Sequence, residues 1–123
     1  MFKIKKFLNS FVYAFRGLLY ALRREQNFQV HFIAIAVVFF FIIYFGLRPL
    51  EAVALVLCIV IVLVLELINT VFEKMVDMLK PRIHPYAEVI KDMMAATVLV
   101  ASIGSLIIGV IIFLPYVKEF FGW

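Results

Sequence analysis

Three apolar stretches, each too long and too free of charge to fit inside a small soluble domain, constrain this chain more than anything else in it. They occupy about residues 28–47, 51–72 and 88–114. The second is the purest: eleven of the fourteen residues from 52 to 65 are Leu, Ile or Val. A bilayer core about 30 Å thick takes roughly 20 helical residues, and only helices or closed barrels satisfy every backbone polar group within it. The uncharged part of the first stretch, residues 32–47, covers only about 24 Å as a helix, so Gln29, Val30 and His31 must enter the boundary with it. With 67% hydrophobic residues and a mean hydropathy of +1.13, the 123-residue chain lies far from soluble composition. The expected class is all-α: one membrane domain with three transmembrane helices.

Residues 2–24 precede the spans and follow a different pattern. Ile4, Phe7, Leu8, Phe11, Phe15, Leu18, Leu19 and Leu22 recur at helical spacing, while Lys3, Lys5, Lys6, Arg16, Arg23 and Arg24 fall mostly elsewhere. That describes an amphipathic helix lying in the membrane interface. Gly46, Arg48 and Pro49 predict a tight turn between the first two spans. The second helix is expected to run past the membrane to Leu79. Lys80-Pro81-Arg82-Ile83-His84-Pro85 then ends it, because neither proline donates a backbone hydrogen bond. Pro115, Tyr116 and Trp123 mark the far interface. Thr97, Ala101, Ser105 and Gly109 recur every fourth residue in the third span and predict a close packing seam.

Ten of the twelve Lys and Arg residues sit before the first span or between the second and third. By the positive-inside rule the N-terminus and the segment around residues 74–92 are cytoplasmic and the C-terminus is outside. The net charge of +4 comes without a basic tract interleaved with aromatics. Anionic lipid headgroups are therefore the expected partners, and nucleic acid is not. The lysine-rich start lacks a compact apolar core with a small-residue cleavage site, so no cleaved signal peptide is expected. The single Cys58 cannot form a disulfide within the chain and is read as a packing residue.

The second apolar stretch ends on a charge. Glu66, Asn69, Thr70, Glu73 and Asp77 fall within roughly 100° of arc on a helix, forming one polar stripe from inside the membrane to its surface. A buried acid at mid-bilayer costs about 3 kcal/mol on insertion scales, whereas each Leu, Ile or Val returns roughly 0.3–0.6, so the helix can carry Glu66. Glu25 with Asn27, and Glu88, Lys91 and Asp92, are expected on the same face. Magnesium takes one or two protein carboxylates and completes its shell with water and phosphate oxygens. Glu25 and Glu73 suit that role, Lys91 suits developing phosphate charge, and Glu66 suits a base for a hydroxyl held in the membrane. The five glycines are scattered and form no phosphate loop, so a nucleotide must be held by side chains and metal. His31 and His84 are read as boundary residues, not metal ligands.

These residues resemble those of the small prokaryotic integral-membrane lipid kinases, diacylglycerol kinase and its undecaprenol kinase branch. The resemblance rests on Glu66-x-x-Asn69-Thr70-x-x-Glu73-x-x-x-Asp77, then His84-Pro85-x-Ala87 and Lys91-Asp92-x-x-Ala95-Ala96-x-Val98. Upstream, Arg16-Gly17-Leu18 and Glu25-x-Asn27-Phe28-x-x-His31 fit as well. It implies a homotrimer in the bacterial cytoplasmic membrane, with sites shared between neighbouring chains and the ATP γ-phosphate passed to a lipid hydroxyl with magnesium. By position, Glu66 and Asn69 correspond to the catalytic pair and Glu25 and Glu73 to the metal-linked acids. Arg16, Glu25, Glu73, Asp77, Lys91 and Asp92 correspond to the nucleotide-binding set. Val71-Phe72 and Ala95 depart from the family pattern and bear on the lipid pocket. Glu25-x-Asn27 and His84-Pro85 favour the undecaprenol branch, with diacylglycerol as the alternative acceptor. A proton-coupled transporter subunit, which a membrane Glu would also serve, ranks below both because the outer half of every span lacks ionisable side chains.

Overall fold

A computed structural model describes residues 1–79 and 85–123, and everything structural below refers to these. The order is α1 (Ile4–Arg24), α2 (Gln26–Phe45), α3 (Pro49–Leu79) and α4 (Tyr86–Phe120). The last three are long and apolar enough to cross a membrane. The break expected over residues 80–85 falls mostly outside the described residues, as does His84; Pro85 forms the turn that leads into α4.

Each connection has a physical cause. One extended residue, Glu25, with φ −107° and ψ 113°, separates α1 from α2 and serves as cap for both. A helix leaves its last carbonyls without partners, and Gln29 supplies one: its Nε2 donates to the Leu22 carbonyl at 2.9 Å. At the other end of α2, Gly46 is left-handed, with φ +60° and ψ 52°. The Leu47 amide then reaches the Ile42 carbonyl at 3.2 Å, the long bond of a Schellman turn. Pro49 opens α3, where a missing N–H costs nothing. The Arg48 amide donates to Glu51 Oε1 at 3.2 Å, capping the helix.

The central element is α3. Its buried residues, Leu55, Val62, Glu66, Asn69, Thr70 and Val76, follow helical spacing along one side. α4 packs along α3 more extensively than α2 does, and α1 meets α2 at the Glu25 corner. α1 is amphipathic and buries only Ala21, leaving Phe7, Phe11 and Phe15 uncovered by protein. At the far end Phe45 gathers the rings of Phe113, Tyr116 and Phe120 at 5.9–6.5 Å.

The helix of the third span continues past Leu114 through Pro115 to Phe120, and its Tyr116 hydroxyl donates to Glu51 Oε1 at 2.5 Å. The small-residue ridge is not a close seam within the chain. Thr97 is exposed and turns its hydroxyl to the Met94 carbonyl, a side chain at Gly109 would meet nothing within 4 Å, and Ser105 lines a cavity.

Candidate active site

Burial along the stripe falls from inside to outside. Glu66 is 3% exposed, Asn69 4% and Thr70 7%, Glu73 is half-buried and Asp77 exposed. α3 carries the five residues on one face, and α2 and α4 cover its inner part, where Glu66 and Asn69 lie. The Thr70 hydroxyl is not presented to a ligand: it donates to the Glu66 carbonyl at 2.9 Å, the back-bond that a buried helical threonine makes. Asn69 turns its Nδ2 towards Glu73 Oε1 at 3.5 Å, a weak contact, and leaves its buried Oδ1 without a partner.

Opposite Glu66 stands His31 of α2, with Nε2 3.6 Å from Glu66 Oε2. Reading His31 as a boundary residue missed this relation. The signal was its position four residues after Asn27, which puts both on one face of α2. Asn27, His31, Glu66, Asn69, Ala95 and Ser102 line a cavity of about 270 Å³ between α2, α3 and α4. Ala95, one of the departures from the family pattern, thus lies in its wall.

Glu25 is pinned by a residue the sequence reading did not assign. Lys74 Nζ lies 3.0 Å from Glu25 Oε1 and 5.9 Å from the centre of the Tyr20 ring, tying the end of α1 to the C-terminal part of α3. Glu25 and Glu73 both stand close enough to act electrostatically on Glu66, and Asp77 bears on Lys74. Glu25, Glu66, Asn69 and Glu73, with Asp77 beyond them, are therefore neighbours at one end of the bundle.

No polar contact among the described residues ties the remaining expected residues to this group. Lys91 is half-buried and Asp92 exposed, and among the described residues no hydrogen bond or ion pair links either to the stripe. Arg16 packs its guanidinium 5.6 Å from the Tyr13 ring of its own helix.

Among the described residues no three of His, Cys, Asp and Glu gather tightly enough to hold a metal by themselves. Magnesium asks less, taking one or two carboxylates and the oxygens of a phosphate. The carboxylates present at that end of the bundle are Glu25, paired with Lys74, and Glu73, beside Asn69.

The prokaryotic diacylglycerol kinase family matches residues 12–113. The undecaprenol kinase of Bacillus subtilis is 38% identical over 113 residues, which make up 92% of each chain. A diacylglycerol kinase of Synechocystis is 39% identical over 113 residues, covering 88% of this chain and 62% of its own length. No solved structure gives a significant match. The chain belongs to the prokaryotic diacylglycerol kinase family and is a multi-pass membrane lipid kinase.

Proposed function

We propose that this kinase transfers the γ-phosphate of ATP to undecaprenol, giving undecaprenyl phosphate, with diacylglycerol as the alternative acceptor. The observation that carries the reading is the buried Glu66 carboxylate in a cavity between the spans, beside an unpartnered Asn69 oxygen. A carboxylate at that depth meets a lipid hydroxyl where bulk water is scarce. The undecaprenol kinase match covers nearly all of both chains, which favours that acceptor. The transporter-subunit reading falls with membership of a kinase family.

In the proposed reaction the lipid oxygen attacks the γ-phosphorus. One P–O bond forms, the bond to the β-phosphate oxygen breaks, and the hydroxyl proton passes to Glu66, leaving ADP. Glu66 acts as general base, taking the one hydroxyl proton, and Asn69 stands beside it in the cavity wall. His31, against the other face of the carboxylate, fixes the direction in which Glu66 points. Glu25 and Glu73 would hold magnesium, which when bound with ATP would supply charge neutralisation at the phosphates. Arg16, Asp77, Lys91 and Asp92 hold the nucleotide. Since no hydrogen bond or ion pair among the described residues joins Lys91, Asp92 or Arg16 to the stripe, the reading we favour is a complete site between neighbouring copies of a homotrimer. The surface helix and the site face the cytoplasm, and the C-terminus faces outward.

The test is a competition assay on purified protein in one bilayer, with undecaprenol and diacylglycerol at equal mole fraction and labelled ATP. Undecaprenyl phosphate should dominate. Phosphatidic acid as the main product would move the assignment to the alternative, and no lipid phosphate from either would remove it.

A further inference from the structure

The two sides of the ion pair between Lys74 and Glu25 are held unequally. Glu25 is the single residue between α1 and α2: its amide donates to the Ala21 carbonyl at 2.9 Å, and its own carbonyl accepts from the Gln29 amide at 3.1 Å. The backbone under the carboxylate is thus fixed from both sides, and the side chain is only 19% exposed. Lys74 carries its ammonium on a flexible four-carbon stem and is 48% exposed. The ammonium can therefore change partners while the carboxylate stays in place. Its surroundings are acidic, since Glu73 is its neighbour in sequence and Asp77, one turn on, acts on its charge. Beside Glu73, Asn69 is 4% exposed and keeps one oxygen unpartnered. Buried polar atoms are rarely left so, which marks this end of the stripe as a place that receives a ligand.

We propose that Lys74 is a further nucleotide-binding residue: in the free protein its ammonium neutralises Glu25, and when Glu25 takes a divalent cation the ammonium leaves it for a phosphate oxygen of the nucleotide. This rests on the reading of Glu25 as a magnesium ligand given above and adds a residue with two successive partners. An ammonium and a divalent cation on one carboxylate repel each other, so Glu25 cannot keep both at close range. A nucleotide triphosphate remains anionic with magnesium on it, and beside Glu73 and Asp77 it needs a further cation. Lys74 is a cation whose ion pair already places it among those acids. A hydrogen bond between ammonium and phosphate is charge-assisted and strong, so each carboxylate keeps a cation and the ammonium keeps an anion throughout the exchange. A compact point charge suits a partner that must be surrendered, whereas the planar fork of an arginine would grip the carboxylate with two bonds.

The test is equilibrium binding of labelled ATP to the full-length protein in nanodiscs, with no lipid acceptor and at high salt, where charges at a distance are screened. With EDTA in place of magnesium, Glu25→Gln frees the ammonium and should tighten ATP binding about tenfold, the worth of one charged hydrogen bond. The double variant Glu25→Gln with Lys74→Met should lose that gain. Tightening of equal size with and without Lys74 would mean that loss of the Glu25 charge acts alone, and no tightening in either background would mean that the pair only ties α1 to α3; both results overturn the proposal. With magnesium present, Lys74→Met should weaken ATP binding about tenfold. This arm decides alone if Glu25→Gln fails to fold, and an unchanged Kd there overturns the proposal. Wild-type protein that binds no ATP even with magnesium is a different failure, that of the functional reading, and takes the proposal with it.

Discussion

His31 Nε2 stands 3.6 Å from Glu66 Oε2, across the gap between α2 and α3. The pair joins a carboxylate that is 3% exposed to the only polar side chain that α2 sends to that depth of the cavity besides Asn27 at its mouth. If His31 fixes the orientation of Glu66, His31→Leu should lower kcat by about tenfold, equivalent to about 1.4 kcal/mol of transition-state stabilisation. KM for ATP should hold, and His31→Gln, which keeps a polar contact, should recover part of the loss. Steady-state kinetics of the two variants decides it; equal kcat in His31→Leu and wild type would mean the contact has no part in turnover.

Glu25 meets Lys74 at 3.0 Å. An internal ammonium group competes with magnesium for the same carboxylate, so Lys74→Met should lower the magnesium concentration at half-maximal activity, and Glu25→Gln should raise it. A magnesium titration of activity at saturating ATP measures both. A higher requirement in Lys74→Met would show that the lysine positions Glu25 and does not compete for it.

Gly46 holds φ +60°, and a side chain there would meet nothing within 4 Å. The whole cost of Gly46→Ala is therefore that of a left-handed backbone, about 1–2 kcal/mol. Unfolding in mixed detergent micelles should show that loss. An unchanged stability would mean that the turn between α2 and α3 can rearrange.

The helices, the three apolar spans and the depth of Glu66 were legible because periodicity and hydropathy act within one helix. Contacts between helices were not. Nothing in spacing alone pairs residue 74 with residue 25, or sets Ser102 in the same cavity wall as Glu66. Thr70 shares the stripe of Glu66 and Glu73, yet its hydroxyl bonds to its own backbone, which angular position cannot tell. The Thr97, Ala101, Ser105, Gly109 ridge shows the same limit: small residues mark where something approaches closely without saying whether it is a helix or a ligand.

The Tyr116 hydroxyl donates to Glu51 Oε1 at the end of the bundle away from the stripe. Tyr116→Phe removes that donor and leaves a carboxylate short of a partner. The variant should melt at a lower temperature while KM values for ATP and lipid stay those of wild type. A large change in either KM would mean that the far end communicates with the site.

Glu66 as the base is the central assignment for this kinase. Single-turnover transfer from labelled ATP to undecaprenol, measured in Glu66→Gln against wild type with ATP binding checked in parallel, addresses it directly. Loss of a positioned general base should slow transfer by about 100-fold or more, with ATP bound as tightly as before. Transfer in Glu66→Gln at the wild-type rate would contradict it.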